Sequence, residues 1–163
     1  MDTCAKEKIL CIIPARGGSK GVKRKNIRDF NGKPLIGWTM EEAKKSTYID
    51  RIIVSTEDGD IASVSSAFGA SVMKRPVELA QDTSSTTEVI LHILDEVARC
   101  GYTPEYLLLL QCTSPMRKAV HVDEAIRLLL ENRGNFHSLI SVTKESHPPF
   151  WLQQIDEEGC LID

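Results

Sequence analysis

Apolar residues run unbroken from Ile9 to Ile13 and close on Pro14. A second apolar run, Ile52 to Val54, lies inside Arg51–Ser55. Runs with no polar alternation predict strands covered on both faces, as in a parallel sheet. Lys8–Pro14 and Arg51–Ser55 are therefore read as buried strands. Tyr106–Leu110 is the most apolar of the set and is expected at the centre of the sheet. Ser71–Lys74 and Ser138–Lys144 read as shorter strands.

Between these runs the apolar period changes to that of a helix. After Pro34, whose fixed φ suits a first helical turn, Leu35, Ile36, Thr39, Met40 and Ala43 form one stripe. Ile61, Val64 and Phe68 do the same over Asp58–Phe68, and Gly69 stops the helix. Thr56-Glu57-Asp58 reads as the start of that helix. Ser85-Thr86-Thr87-Glu88 is a capping box that opens a helix to about Arg99. A further helix is expected over Val120–Asn132. Strand and helix in alternation imply right-handed βαβ units, hence an α/β fold of three layers around a mostly parallel sheet.

The rhythm breaks after Lys144. His147-Pro148-Pro149-Phe150-Trp151 cannot continue a helix or a central strand. Trp151–Ile155, the turn Asp156-Glu157-Glu158-Gly159 and Cys160–Ile162 read as a hairpin. Aromatics beside a hairpin with no domain of its own mark an interface.

Composition narrows the class. A chain of 163 residues with 42% hydrophobic and 26% charged residues is one ordinary globular domain. A net charge of −3 gives no reason to expect nucleic acid or an anionic membrane as partner. No run reaches the roughly 18 apolar residues of a membrane span, and Met1–Lys8 lacks the apolar centre of a signal peptide. The five cysteines are scattered, with no Cys-x-x-Cys pair, which argues against zinc. An odd count without an export signal fits reduced thiols in a cytoplasmic setting. Cys11 reads as a small core residue. Cys112 lacks a supporting histidine motif for a nucleophile, and His92, His121, His137 and His147 show no ligand spacing.

The chemistry concentrates after the first strand. Pro14-Ala15-Arg16-Gly17-Gly18-Ser19-Lys20-Gly21-Val22-Lys23-Arg24-Lys25-Asn26 holds three glycines and five cations. Glycines let backbone N–H groups approach an anion, and clustered cations offset its charge. Such a loop at the carboxyl edge of a parallel sheet reads as a phosphate site. It is neither a P-loop, which needs four residues between its glycines and then Gly-Lys-Ser/Thr, nor G-x-G-x-x-G, because Gly17 and Gly18 are adjacent. A nucleotide or phosphosugar site of another design is left.

At this point a family resemblance enters. Ile12–Asn26 resembles the signature of the cytidylyltransferases that activate sialic acids, the CMP-acylneuraminate synthetases. Arg51–Thr56 looks like that family's second strand and exit. Arg75–Ser85 looks like its cytosine-side loop, and Leu110-Gln111-Cys112-Thr113-Ser114-Pro115-Met116-Arg117 its Leu-Gln-Pro-Thr-Ser-Pro-Leu-Arg turn, with Cys112 in place of a proline. The resemblance implies a nucleotidyltransferase-like, Rossmann-like fold. It also implies a nucleotide-binding α/β domain over 1–145, followed over 146–163 by the start of a subunit-exchanging arm, hence a homodimer.

The same resemblance assigns roles. Arg16 and Lys25 match the phosphate-contacting positions and are the candidates for catalysis. Two fixed cations at a glycine turn can stabilise charge on a leaving pyrophosphate. Ala15, Gly17, Gly18 and Lys20 complete the loop, with Lys20 the weaker cation and Lys23 and Arg24 read as solvated. Asn26 matches a ribose contact, or else is a turn amide. Arg75 matches the reader of cytosine, whose O2 and N3 acceptors suit a guanidinium. Ala80 and Thr86 close the base pocket, although Thr86 also suits a first helical turn. Gln111, Thr113 and Ser114 fall near the acceptor sugar, or form a plain strand-to-helix turn.

The implied reaction joins CTP to a nonulosonic acid such as N-acetylneuraminate, giving the CMP-sugar and pyrophosphate, with Mg2+ bridging phosphate oxygens. The family's metal-holding D-x-D element has no match in this sequence. Asp156 and Asp163 stand in the wrong context, so the magnesium ligands are expected to be mainly the phosphates and residues absent from this chain. Legionaminate, pseudaminate or 3-deoxy-manno-octulosonate as the sugar acid, and a noncatalytic nucleotide-binding module, stay open as alternatives.

Overall fold

The computed structural model describes residues 7–143 and the strand pairs at 154–155 and 161–162. Strand β1 is Ile9–Pro14. A 3-10 turn at Lys25–Ile27 and a small antiparallel ribbon, β2 (Asp29–Phe30) with β3 (Lys33–Pro34), lead into helix α1, Leu35–Lys45. Then come β4 (Arg51–Thr56), α2 (Gly59–Ala67), β5 (Ser71–Lys74), a 3-10 turn at Val77–Ala80 and α3 (Thr86–Arg99). The body closes with β6 (Tyr106–Leu109) and α4 (Ala119–Glu131).

The main sheet is parallel and ordered β5–β4–β1–β6. Alternate residues of β1 feed two separate cores, as the period of two in a strand requires. Ile9, Cys11 and Ile13 pack with Ile36, Met40, Ile61, Val122 and Ile126, from α1, α2 and α4. Leu10 and Ile12 pack with Val89, Ile93 and Val97 of α3. Helices therefore cover both faces, and the expected three-layer α/β architecture is present.

Local signals act where the sequence places them. Asp58 caps α2, its carboxylate accepting from the N–H groups of Asp60 and Ile61 at 2.9 Å. Gly69 ends that region at φ +70°, a left-handed conformation that a side chain disfavours. Ser85 and Glu88 form the reciprocal capping box of α3.

Two strand expectations are corrected. Tyr106–Leu109 lies at an edge of the described sheet, and β1 and β4 hold the centre. Apolar content reports burial of a strand's faces, not its rank in the ladder. Leu107 and Leu109, on one face of β6, are about two-fifths exposed. Residues 138–143 form no strand, and Ile140 and Val142 are exposed.

The hairpin expected near the end is present as backbone, with Gln154 opposite Ile162 and Ile155 opposite Leu161 in an antiparallel pair, β7 and β8. The Pro148–Trp151 segment read as an interface lies outside the described residues. Among the described residues, no helix is long and apolar enough to cross a membrane.

Candidate active site

Sequence order reverses at β1: β4 and β5 lie to one side of it and β6 to the other. Parallel sheets open a crevice outside the carboxyl ends of their strands at such a reversal. A cleft of about 430 Å³ opens there. One wall is the loop after β1, with Arg16, Ser19, Lys20, Gly21, Lys25 and Asn26. A second is the segment from Arg75 through Leu79, Gln81 and Asp82 to Ser84, Ser85 and Thr86. A third is the turn after β6, with Gln111, Cys112 and Thr113.

Three main-chain bonds fix these loops to the sheet. The Ala15 N–H donates to the Ser55 carbonyl at 3.0 Å, Arg75 N–H to Thr56 at 3.1 Å and Leu110 N–H to Ile12 at 3.0 Å. Each extends the parallel ladder by one step, so each loop departs from a rigid end.

The cations divide into distinct sets. Arg16 and Lys20 both hold Asp82, at 2.7 and 2.5 Å, across the cleft. The Lys20 ammonium, and after it the Arg16 guanidinium, keeps the Asp82 carboxyl below its ordinary value of 3.8. Lys25 lines the cleft and makes no ion pair among the described residues. Arg24, read from sequence as solvated, sits in the left-handed region at φ 55°. It pairs with Asp58 at 3.6 Å and with Asp60 at 2.5 Å, tying the loop to the start of α2.

Asn26 is buried, and its side-chain amide donates to the Arg16 carbonyl at 3.0 Å. The turn-amide role is thus present, in a residue that also lines the cleft.

Gly17 carries a tighter constraint. A Cβ there would lie 2.4 Å from Asp58 Oδ2 and 2.9 Å from Asp58 Cβ. Its N–H donates to Glu57 Oε1 at 2.7 Å. The Gly17 amide therefore serves the fold. Ala15, Gly17, Gly18, Ala80 and Ser114 do not line the cleft.

Arg75 is 5% exposed, yet it reaches the cleft. Its Nε and Nη2 donate to Glu57 Oε2 at 3.1 and 3.0 Å. Of the five N–H groups of a guanidinium, three stay available to a ligand. Glu57 was hidden in the sequence inside the helix-start motif. Its position, one residue past the carboxyl end of β4, is the signal that could have marked it. Asp82 was likewise read only as part of a loop.

Thr86 is the first residue of α3 and is exposed at the cleft, so the positive end of a 14-residue helix faces the same space. Gln111 and Thr113 line the opposite wall, and Arg117 Nη2 donates to the Gln111 carbonyl at 3.4 Å. Burial raises both Cys11 and Cys112 to about 12, which leaves neither as a thiolate near neutrality.

No group of three or more His, Cys, Asp or Glu side chains that could hold a metal occurs among the described residues. Asp82, which lines the cleft, is engaged by Arg16 and Lys20, and Glu57 is engaged by Arg75 and Gly17. These residues do not make a protein seat for Mg2+.

Known proteins place this geometry in context. Residues 10–155 match the cytidylyltransferase family. The chain is 36% identical over 155 residues to an N-acylneuraminate cytidylyltransferase of Escherichia coli O18:K1:H7, covering 94% of this chain and 36% of that protein. It is 37% identical over 156 residues to a CMP-N,N'-diacetyllegionaminic acid synthase of Legionella pneumophila, covering 95% of this chain and 66% of that protein. The chain thus spans between about a third and two-thirds of the length of these relatives. Its fold is similar to that of CMP:2-keto-3-deoxy-manno-octonic acid synthetase complexed with CTP, at a TM-score of 0.67 and 23% identity, over 78% of this chain and 49% of that one. With the match spanning nearly all of the α/β body, the chain belongs to the cytidylyltransferase family.

Proposed function

We propose that this chain binds CTP in the cleft at the end of β1 and serves transfer of CMP to a 2-keto sugar acid, with release of pyrophosphate. The observation that carries the reading is convergence. Three loops from three strand ends bring Arg16, Lys20 and Lys25 opposite the buried Arg75, with Gln111 and Thr113 on the remaining wall. A triphosphate fits the cations, a pyrimidine with O2 and N3 acceptors fits Arg75, and a polar sugar acid fits the third wall.

In the reaction, the anomeric 2-hydroxyl oxygen bonds to the α-phosphorus, its proton passes to solvent, and the bond from that phosphorus to the bridging oxygen breaks in line, the electron pair leaving with pyrophosphate. Charge grows on the departing pyrophosphate. Arg16 and Lys25, held at the loop, stabilise it as fixed donors. Lys20, exposed on a flexible stem, adds long-range attraction. Magnesium belongs to this proposal as a companion of the nucleotide's phosphates.

N-acetylneuraminate is the first sugar acid to test, and N,N'-diacetyllegionaminate the second, because the relatives bearing those names match almost equally well. A homodimer formed through the segment from His147 onward and a cytoplasmic setting complete the proposal. Pyrophosphate release from CTP with a panel of 2-keto sugar acids tests it, on this chain and on any longer form. Release with one member identifies the substrate. No release with any member, together with equal binding of CTP, UTP and ATP, rejects the reading.

A further inference from the structure

Between the glycine loop and Arg75 stands a carboxylate that belongs to neither. Glu57 Oε1 accepts the Gly17 N–H at 2.7 Å, and Oε2 accepts Arg75 Nε and Nη2 at 3.1 and 3.0 Å. The Glu57 side chain is 15% exposed and that of Arg75 5%. At such burial a charged pair is held by geometry, and an unpartnered member is strongly disfavoured. The segment around Glu57 is itself anchored. Thr56 takes the Arg75 main-chain N–H, Thr56 Oγ1 accepts the Asp58 N–H at 3.1 Å, and Asp58 caps α2. The backbone that carries the carboxylate is therefore set by β4 and by the cap of α2.

We propose that Glu57 is a positioning residue that aims the Arg75 guanidinium at the base while pinning the phosphate loop through Gly17, so that base choice and phosphate binding share one support. The inference rests on the reading of Arg75 as the base-recognising group. A guanidinium with two of its N–H groups fixed on a carboxylate keeps one plane, and the remaining donors point one way. Freed from Glu57, Arg75 turns among rotamers and loses its discrimination between a pyrimidine that offers an N3 acceptor and one that offers an N3 donor. The Gly17 bond is separable, because an amide oxygen replaces the carboxylate there without charge.

The test titrates CTP, UTP and inorganic pyrophosphate into the chain and its variants by calorimetry, with the thermal midpoint as a check on folding. Glu57→Gln is expected to lower the preference for CTP over UTP at least tenfold while pyrophosphate affinity stays within twofold. Glu57→Ala, which removes both acceptors, is expected to lower pyrophosphate affinity at least tenfold below that of Glu57→Gln. Retention of the parent's CTP preference in Glu57→Gln overturns the proposal. So does an equal loss for all three ligands, which would mean general loosening.

A parent chain that binds CTP and UTP equally defeats the reading of Arg75. The loop half of the inference then stands or falls alone on Glu57→Ala against Glu57→Gln, and equal pyrophosphate affinities in those two variants overturn it. Should the single variants lose their fold, Glu57→Gln/Arg75→Gln, which leaves no lone buried charge, carries the pyrophosphate comparison against Glu57→Ala/Arg75→Gln under the same criterion.

Discussion

Arg16 Nη1 meets Asp82 Oδ1 at 2.7 Å across the mouth of the cleft, and Lys20 Nζ holds the other oxygen at 2.5 Å. The carboxylate stands where an anionic ligand of these two cations would stand, so a triphosphate must displace it. Asp82→Asn is expected to raise the affinity for CTP severalfold at low salt. The gain should shrink as ionic strength rises, because exposed charges are screened within about 10 Å at 0.1 M. Titration at two salt concentrations checks both parts.

The sign of the pH dependence follows from the same pair. Its cations depress the Asp82 carboxyl below 3.8, so the pair is intact above that value and is lost as pH falls through the lowered one. Between about pH 5 and 8 Asp82 stays charged, and CTP binding should show no inflection from it in that window. A binding profile with an inflection near pH 6 that vanishes in Asp82→Asn would refute this.

Arg16→Ala and Lys25→Ala test the phosphate role. Each is expected to lower turnover of an active, longer form by about 10²–10³, the usual worth of a fixed donor at developing charge. Stability should change little, since an ion pair as exposed as Arg16–Asp82 is largely screened by solvent. Paired measurements of kcat and of the urea midpoint separate the two effects.

Arg75→Ala is expected to behave differently. It strands the Glu57 carboxylate, 15% exposed, without its partner. Breaking a buried pair from one side costs about 3–5 kcal/mol. The urea midpoint should therefore fall together with CTP affinity, and a variant of unchanged stability would show that Arg75 is not held as described.

Gly17→Ala has no room. Its Cβ would press on Asp58 Cβ at 2.9 Å, and Asp58 cannot withdraw without giving up the cap of α2. A loss of about 1–3 kcal/mol is expected from the crowding. Thermal unfolding of Gly17→Ala beside Gly18→Ala, where a Cβ meets nothing within 4 Å, is the internal control.

Thiol labelling checks the fold around the site. Cys100 is exposed, whereas Cys11 and Cys112 are buried and raised to about 12. Iodoacetamide at pH 8 should modify Cys100 and spare the other two until denaturant is added, as read by mass spectrometry of the peptides.

Sequence alone determined the α/β alternation, the caps and the place of the glycine- and cation-rich loop, because these are properties of short stretches. Ile9–Ile13 is apolar on both of its faces wherever it lies. Asp58 and Ser85 cap through bonds to residues two or three positions on. The glycines and cations of Arg16–Lys25 stand together in one stretch of sequence whatever the rest of the chain does. The tertiary structure decided what depends on residues distant in the chain. It put Tyr106–Leu109 at a sheet edge, because strand rank depends on which ladders form and not on how apolar a strand is. It joined Arg16 and Lys20 to Asp82, and Gly17 to Arg75 through Glu57, over separations of 40 and 18 residues. Those bonds exist only because parallel pairing of β1, β4 and β5 brings three loops to one edge, a relation that no local pattern of hydrophobic and polar residues encodes.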